Sequence, residues 1–144
     1  MAVTSKPPPP PDPDVVERHR IVVIAGHSGD LTIVEAHLAD PAAIVRQAAF
    51  SALHRLGACT ADHVRAATAD PAPRVRARAS ELAVHIDGVT PAALLDDQDS
   101  SVVEVACFAC GEVSWPPGTA PITQLSVIAT SHDDALCRES AAAA

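Results

Sequence analysis

Four cysteines are the first side chains of this sequence that could do chemistry, either as zinc ligands or as a redox pair. Cys107 and Cys110 form a CxxC motif in "CFAC", and Cys59 and Cys137 complete a possible set of four. A structural zinc site needs ligands that converge tetrahedrally, and a redox CxxC normally opens a helix, where the helix dipole lowers the thiol pKa. This pair lies in the middle of a predicted helix instead. The cysteines are therefore predicted to be small buried residues, and no metal or other cofactor is expected.

The histidines offer a second possible chemistry. His27, His54 and His85 fall near the C-terminal ends of three predicted long helices. The helix dipole favours a proton there, so a pH-sensitive or metal-binding row is one interpretation, and ordinary helix-end residues are the other. The segment "GHSGD" lacks both the spacing and the strand of a nucleophile elbow. No catalytic residue is predicted, and the protein is interpreted as a non-enzyme.

The charge balance bears on the kind of partner. Eighteen acidic residues against ten basic ones give a net charge of −8, whereas a general nucleic-acid binder needs a basic field. The longest apolar run, "IVVIAG", is far below the roughly 20 residues of a membrane span, and the first residues lack the apolar region of a secretory signal. Free thiols without an export signal suggest a reducing compartment. We expect a cytoplasmic protein, from a bacterium with a GC-rich genome, that binds neither nucleic acid nor membrane.

The elements that must position these residues come from a repeated phrase. "DPAAIVRQAAF" begins at Asp40 and "DPAPRVRARAS" begins at Asp70, and each has Asp-Pro followed by Val-Arg. An aspartate is a good N-cap and proline suits the first helical position, so each phrase predicts the start of a long helix. Short helical segments, such as "LTIVEAHL" and "TADHVRAAT", separate the long ones. One such pair cannot bury its apolar face alone, so neighbouring pairs must stack.

The array has predicted bounds. Residues 1–13, which contain "PPPPPDP", are predicted to form a disordered or polyproline leader, and residues 14–144 the repeat array. The last long helix, "SHDDALCRESAAAA", stops about four residues before its expected glycine, which predicts an array truncated at its C-terminal end. An uncapped end exposes apolar surface. We therefore expect either a monomer or association through the exposed array end.

The phrases "DPAAIVRQAAFSALHRLG" and "DPAPRVRARASELAV" resemble HEAT repeats of the PBS-lyase HEAT-like type. The resemblance implies an all-α fold, a right-handed, armadillo-like α-solenoid of stacked helix pairs. It also implies a polar ladder inside the stack that lapses at Val103, where the third unit has valine for arginine. The repeat-motif residues are Asp40, Pro41, Val45, Arg46, Asp70, Pro71, Val75 and Arg76, and the ladder would use Asp40, Arg46, Asp70 and Arg76.

The architecture favours a non-catalytic protein–protein interaction scaffold that holds a partner on its concave face. Helical spacing puts Arg74 and Arg78 on one side of their helix, where they could bind an acidic partner, with Arg76 turned away. Phe50 falls at the edge of the core face beside Arg46 and His54. The predicted partner contacts are Arg46, Phe50, His54, Arg74 and Arg78.

Two alternatives remain open. One is a bilin-lyase-like enzyme or accessory subunit, with a cofactor held in the groove near Cys107 or His54. The other is a DNA-binding helical-repeat protein, which would need a basic groove with aromatic residues.

Overall fold

Helices account for all the regular structure of residues 10–144, which are the residues that this computed structural model describes. The fold is all-α, with eight α-helices, one 3-10 helix and no strand in that range. The elements are α1 (Pro13–Ser28), α2 (Leu31–Ala36), α3 (Ala43–Arg55), α4 (Ala61–Thr68), α5 (Pro73–Ala83), the 3-10 helix Pro91–Leu94, α6 (Ser100–Glu112), α7 (Ile122–Ser131) and α8 (Ala135–Ala143). No helix of the described range is long and apolar enough to cross a membrane.

The start of the array is earlier than predicted. Asp12 caps α1 by accepting a hydrogen bond from the Asp14 amide, and Pro13 occupies the first turn. The helix therefore begins inside the segment that was assigned to the leader. Residues 1–9, the remainder of that predicted leader, lie outside the described residues.

The helices form two layers. Helices α1, α3, α5, α6 and α8 pack against one another in that order and are called the long helices below. Helices α2, α4, α7 and the 3-10 helix lie against them as the second layer. The core between the layers consists mostly of Ala, Val, Leu and Cys side chains. Such small side chains allow neighbouring helices to approach closely.

Glycines lie at the contact between long helices in two places. A Cβ atom on Gly26 of α1 would lie 2.6 Å from the Cβ of Ala52 on α3. The same arrangement recurs at the other end of the array, where a Cβ on Gly111 of α6 would lie 3.2 Å from the Cα of Ala144. Glycine therefore sets the spacing at the first and last joints of the long-helix layer.

The prediction that the Asp-Pro pairs begin the long helices is wrong. The Asp40 carboxylate accepts a hydrogen bond from the amide of Ala42 at 2.8 Å, and α3 starts only at Ala43. Asp70 does the same with the amide of Ala72, before α5 starts. Each Asp-Pro forms a turn ahead of the helix, because the aspartate is needed for a second contact.

That second contact is an ion pair between successive long helices, which we call a rung. Arg46 donates from Nε and Nη2 to the Asp70 carboxylate at 2.8 and 2.7 Å, and Arg76 donates in the same way to Asp97 at 2.7 and 2.9 Å. The Nη1 atom of Arg46 also donates to the main-chain oxygen of Asp40 at 2.7 Å. Arg76 repeats this contact at Asp70. With a further Nη1 contact to the oxygen of Pro41 or Pro71, each guanidinium donates four hydrogen bonds to protein oxygens.

A third rung precedes these two, and the series then lapses. Arg18 of α1 donates to Asp40 at 2.8 and 3.3 Å, so all four residues predicted for the ladder take part in rungs. At the joint between α6 and α8 the arginine position holds Val103, as predicted, and the aspartate position holds His132. His132 Nδ1 accepts from the Asp134 amide at 3.1 Å, which preserves the turn without a carboxylate.

Candidate functional site

The cysteines lie inside the array. Cys107, Cys110 and Cys137 are buried free thiols, and Cys59 is half-buried. Burial raises the pKa of Cys107 to about 11 and that of Cys110 to about 12, so both stay protonated near neutral pH. Cys137 Sγ donates to the main-chain oxygen of Ser100 at 3.1 Å. Within residues 10–144 no three His, Cys, Asp or Glu side chains are grouped so that they could hold a metal ion.

Two of the three histidines that were predicted to form a row lie in contact with each other. The rings of His54 on α3 and His85, just beyond α5, stack with their centroids 5.6 Å apart. His27 instead turns back onto its own helix, with Nδ1 2.7 Å from the oxygen of Val23. Burial lowers the pKa of His54, and the charges of His85 and Arg78 lower it further. The stacked arrangement therefore favours the neutral form of His54.

This stack predicts a pH dependence of stability. The folded-state pKa of His54 lies below its unfolded value of 6.5. The contribution of neutral His54 to the free energy of unfolding is therefore complete above pH 6.5 and is lost as the pH falls through the folded-state pKa. Chemical denaturation at about pH 7.5 and about pH 5.5 should therefore show a smaller loss of stability for His54→Gln than for the wild type. The matched control is His27→Gln, at an exposed helix end. An unchanged pH dependence in His54→Gln would contradict the prediction.

Arg46 and Phe50 face the interior, which corrects their predicted placement on the partner surface. The guanidinium of Arg46 is occupied by the rung to Asp70 and by main-chain oxygens. Phe50 is only 3% exposed and belongs to the core. Both line a small pocket of about 120 Å³ beside α4. Phe50 is thus covered by the protein, and the Arg46 guanidinium already has its hydrogen-bond partners within the chain.

Arg74 and Arg78 face outward on α5, as their spacing predicted. Arg74 Nε donates to Gln47 Oε1 of α3 at 3.0 Å, and its side chain is otherwise exposed. Arg78 Nε donates to Ser51 Oγ at 2.9 Å, and its Nη1 pairs with Glu81 at 2.6 Å. These contacts fix the two arginines across the groove between α3 and α5. Within residues 10–144, Arg74 has no carboxylate within ion-pair distance.

Phe108 was not among the predicted contacts, yet it is the most exposed large apolar side chain of the described residues, at 65%. It borders an open cleft of about 290 Å³ between α5 and α6, whose other lining residues are Glu81, Val84, His85, Ala109 and Glu112. A helical wheel of α6 would have found it. Val102, Val103, Ala106 and Cys110 define the buried side, and Phe108 points away from it.

These outward side chains form one surface, the long-helix face, defined by Val23, Ser51, Arg74, Arg78, Glu81 and Phe108. A shallow groove joins α1 to α3, the Arg74 and Arg78 hydrogen bonds join α3 to α5, and the Phe108 cleft joins α5 to α6. The surface combines an exposed aromatic ring, an available guanidinium and flanking carboxylates. Aromatic and arginine side chains are the types that dominate protein–protein interfaces.

A larger open cleft lies beyond the C-terminal ends of α5 and α6. It encloses about 840 Å³ between the loop that carries Asp87 and Gly88 and the insertion that carries Trp115 and Thr119. Trp115 is anchored there by its Nε1 donating to the oxygen of Cys110 at 2.9 Å. The insertion "SWPPGTAP" is thus packed against the array.

No protein-family model matches the sequence, and no curated protein is significantly similar to it.

Proposed function

We propose that this protein is a non-catalytic binding module, a HEAT-like right-handed α-solenoid that holds a protein partner on the concave side formed by its long helices. The ordered packing of five long helices with a second layer of shorter ones supports the solenoid. The repeated Asp–Arg rungs support the HEAT-like type, because each joins one unit to the next through the same atoms. Free thiols support a cytoplasmic location.

The observation that carries the proposal is the exposure of Phe108 at a cleft whose lining includes Glu81, the partner of Arg78. Exposing a phenylalanine ring to water costs free energy that a partner can recover, and aromatic and arginine side chains dominate interface energetics. The ring stands at a cleft rather than on a convex surface. A bound side chain would therefore be desolvated on several sides.

The chemistry of the long-helix face defines the partner segment. An apolar side chain would enter the cleft beside Phe108, and a carboxylate would pair with Arg74, which has no internal acidic partner among the described residues. Arg78 is already paired with Glu81, so we expect it to attract an acidic partner less strongly than Arg74 does. The segment we propose is therefore amphipathic and carries both an apolar anchor and an acidic residue.

The test is affinity capture from a lysate of the source organism, comparing the wild type with Phe108→Ser/Arg74→Glu. Loss of the aromatic anchor and reversal of the charge should weaken capture of a stoichiometric protein by at least about tenfold. Ile122→Ser is the matched control, because Ile122 is 63% exposed but lies on α7 in the other layer. It should capture the partner like the wild type.

Each other outcome counts against the proposal. Equal capture by the wild type and Phe108→Ser/Arg74→Glu would exclude the long-helix face, and no captured protein would exclude a scaffold. A bound chromophore would favour the cofactor alternative, although Cys107 is fully buried and could not reach it. Salt-sensitive retention of DNA would favour the nucleic-acid alternative.

A further inference from the structure

An insertion in one repeated unit builds a wall of the open cleft beyond α5 and α6. The unit that starts at Asp97 is longer than those that start at Asp40 and Asp70, because it contains "SWPPGTAP" between its long helix and its short one. The neighbouring units stack without such a segment. In repeat proteins, insertions of this kind map to loops on one face, which is often the binding face. We call the cleft of about 840 Å³ that this insertion borders the Trp115 cleft.

The insertion holds its tryptophan in a fixed position. Trp115 Nε1 donates to the main-chain oxygen of Cys110 at 2.9 Å, and part of the side chain packs against the core. The Thr119 hydroxyl closes the insertion by donating to the oxygen of Pro116 at 2.8 Å. Trp115 is half-buried and lines the cleft. Because the ring is already ordered, a ligand that binds against it does not have to order it.

The lining of the Trp115 cleft is acidic on both walls. Asp87 lies in the loop after α5, Glu112 lies at the end of α6, and both side chains are exposed. Among residues 10–144, neither carboxylate takes part in an ion pair. No arginine or lysine of those residues lines the cleft, and His85 is the one basic side chain there. The cleft therefore carries negative charge that the described residues leave without a paired cation.

The loop that carries Asp87 is also fixed. Arg65 Nη2 on α4 donates to the main-chain oxygen of Gly88 in that loop at 3.0 Å. The Nη1 atom of Arg65 pairs with Asp62 at 2.6 Å, and Arg65 does not line the cleft. Both walls are thus held by hydrogen bonds to the helices, and the one arginine that contacts the loop already has a carboxylate partner.

The Trp115 cleft continues into the Phe108 cleft. The two share the lining residues Val84, His85 and Glu112. Phe108 and Glu112 are one helical turn apart on α6, so they lie on the same side of that helix. The result is an extended open groove, whereas small-molecule sites bury most of their ligand. Such a groove suits a polypeptide segment with a cationic side chain.

We propose that the Trp115 cleft binds an arginine side chain of a peptide segment, with the guanidinium stacked against the indole of Trp115 and donating to the carboxylates of Asp87 and Glu112. A guanidinium matches this lining because it is planar, stays charged, and donates several hydrogen bonds while it stacks on an aromatic ring. The site needs neither Phe108 nor Arg74. It therefore stands or falls apart from the proposed function.

The test is a fluorescence titration of the full chain, because Trp115 is its only tryptophan and it contains no tyrosine. The probe is acetylated, amidated tetra-arginine, which has no aromatic ring. At about pH 8 and about 0.1 M salt it should change the Trp115 emission saturably, with a dissociation constant below about 1 mM. Tetra-citrulline, in which a neutral urea replaces each guanidinium, should leave the emission unchanged over the same concentrations.

Two double variants with the same change in net charge locate the binding. Asp87→Asn/Glu112→Gln should raise the dissociation constant of tetra-arginine by about fivefold or more, because the guanidinium loses both carboxylates. Asp14→Asn/Glu35→Gln is the matched control, since these exposed acids lie on α1 and α2. Charges farther than about 10 Å are largely screened at this salt concentration, so the control should bind like the wild type.

Spermine distinguishes a site for arginine in a peptide from a site for any polycation. It carries several positive charges without a guanidinium or a peptide backbone, and it should bind at least about fivefold more weakly than tetra-arginine. Four results would each overturn the proposal: no saturable change up to about 1 mM tetra-arginine, equal binding of tetra-citrulline, equal affinities of the two double variants, or spermine binding as tightly as the peptide.

Discussion

Replacing Asp97 by Asn is expected to lower the free energy of unfolding by roughly 3 kcal/mol, the scale for leaving one member of a buried ion pair without its partner. The side chains of Arg76 and Asp97 are only 9% and 6% exposed. Asparagine keeps the side-chain volume and the oxygen that accepts the Asp99 amide. The lost stability therefore measures the effect of leaving the Arg76 guanidinium without its carboxylate. Urea denaturation measures it, and the melting temperature should fall by about 10 °C.

Two comparisons make this prediction specific. Asp62→Asn removes the carboxylate of an exposed pair with Arg65 and should leave the melting temperature unchanged. Adding Arg76→Met to Asp97→Asn should recover much of the loss, because the unpaired buried charge is then gone. If Asp97→Asn costs no more than Asp62→Asn, the rungs do not hold the units together.

The same rung predicts how stability responds to acid. Hydrogen bonds from Arg76 lower the pKa of Asp97 from 3.8, against the opposing effect of burial. A lowered folded-state pKa means that the stabilisation is complete above the unfolded value and disappears as the pH falls through the folded one. The stability difference between wild type and Asp97→Asn should be constant from about pH 5 to about pH 8 and should shrink below about pH 4.

The rungs could be predicted from the sequence wherever the complete motif, Asp-Pro followed by Val-Arg, is present. Asp40, Arg46, Asp70 and Arg76 were identified from Asp-Pro and Val-Arg, and the resemblance supplied their role. Arg18 was missed for two reasons. Glu17 stands before it in place of valine, and Asp12, the aspartate six residues earlier that begins the same unit, was assigned to the leader. The six-residue spacing from aspartate to arginine, taken alone, would have found it.

The helix starts were predicted less well, for a physical reason. Aspartate is a strong local signal for an N-cap, and at Asp12 and Asp30 the side chain does cap a helix. At Asp40 and Asp70 a tertiary ion pair determines where the carboxylate lies, and the helix begins after an additional turn. Local propensity cannot reveal a partner that is more than twenty residues away.

The candidate surface was predicted in part. The spacing of Arg74 and Arg78 correctly put them on one outward side of α5, whereas Phe50 was placed at the edge of the core and lies within it. Its burial depends on how α4 and α5 cover α3, which no pattern within α3 records. The exposure of Phe108 could have been predicted from the sequence of α6 alone. It was overlooked because the cysteines on either side of it attracted the chemical interpretation.

Replacing Val103 by Arg is expected to destabilise the protein by roughly 3 kcal/mol or more, because it buries a charge without a partner. Val103 is 2% exposed and occupies the rung position of the α6–α8 joint. Val103→Met is the matched control, since it adds length without charge and should cost clearly less. Thermal and urea denaturation of the two variants measure the difference.

Adding His132→Asp to Val103→Arg should then restore most of the lost stability. His132 occupies the aspartate position and already accepts the amide of Asp134, as the rung aspartates accept theirs. Residues 103 and 132 line the same open groove of about 330 Å³, so a guanidinium has room to reach a new carboxylate. A double-mutant cycle should give a favourable coupling of about 2 kcal/mol between the two substitutions. Additive effects would mean that the last joint does not share the register of the others.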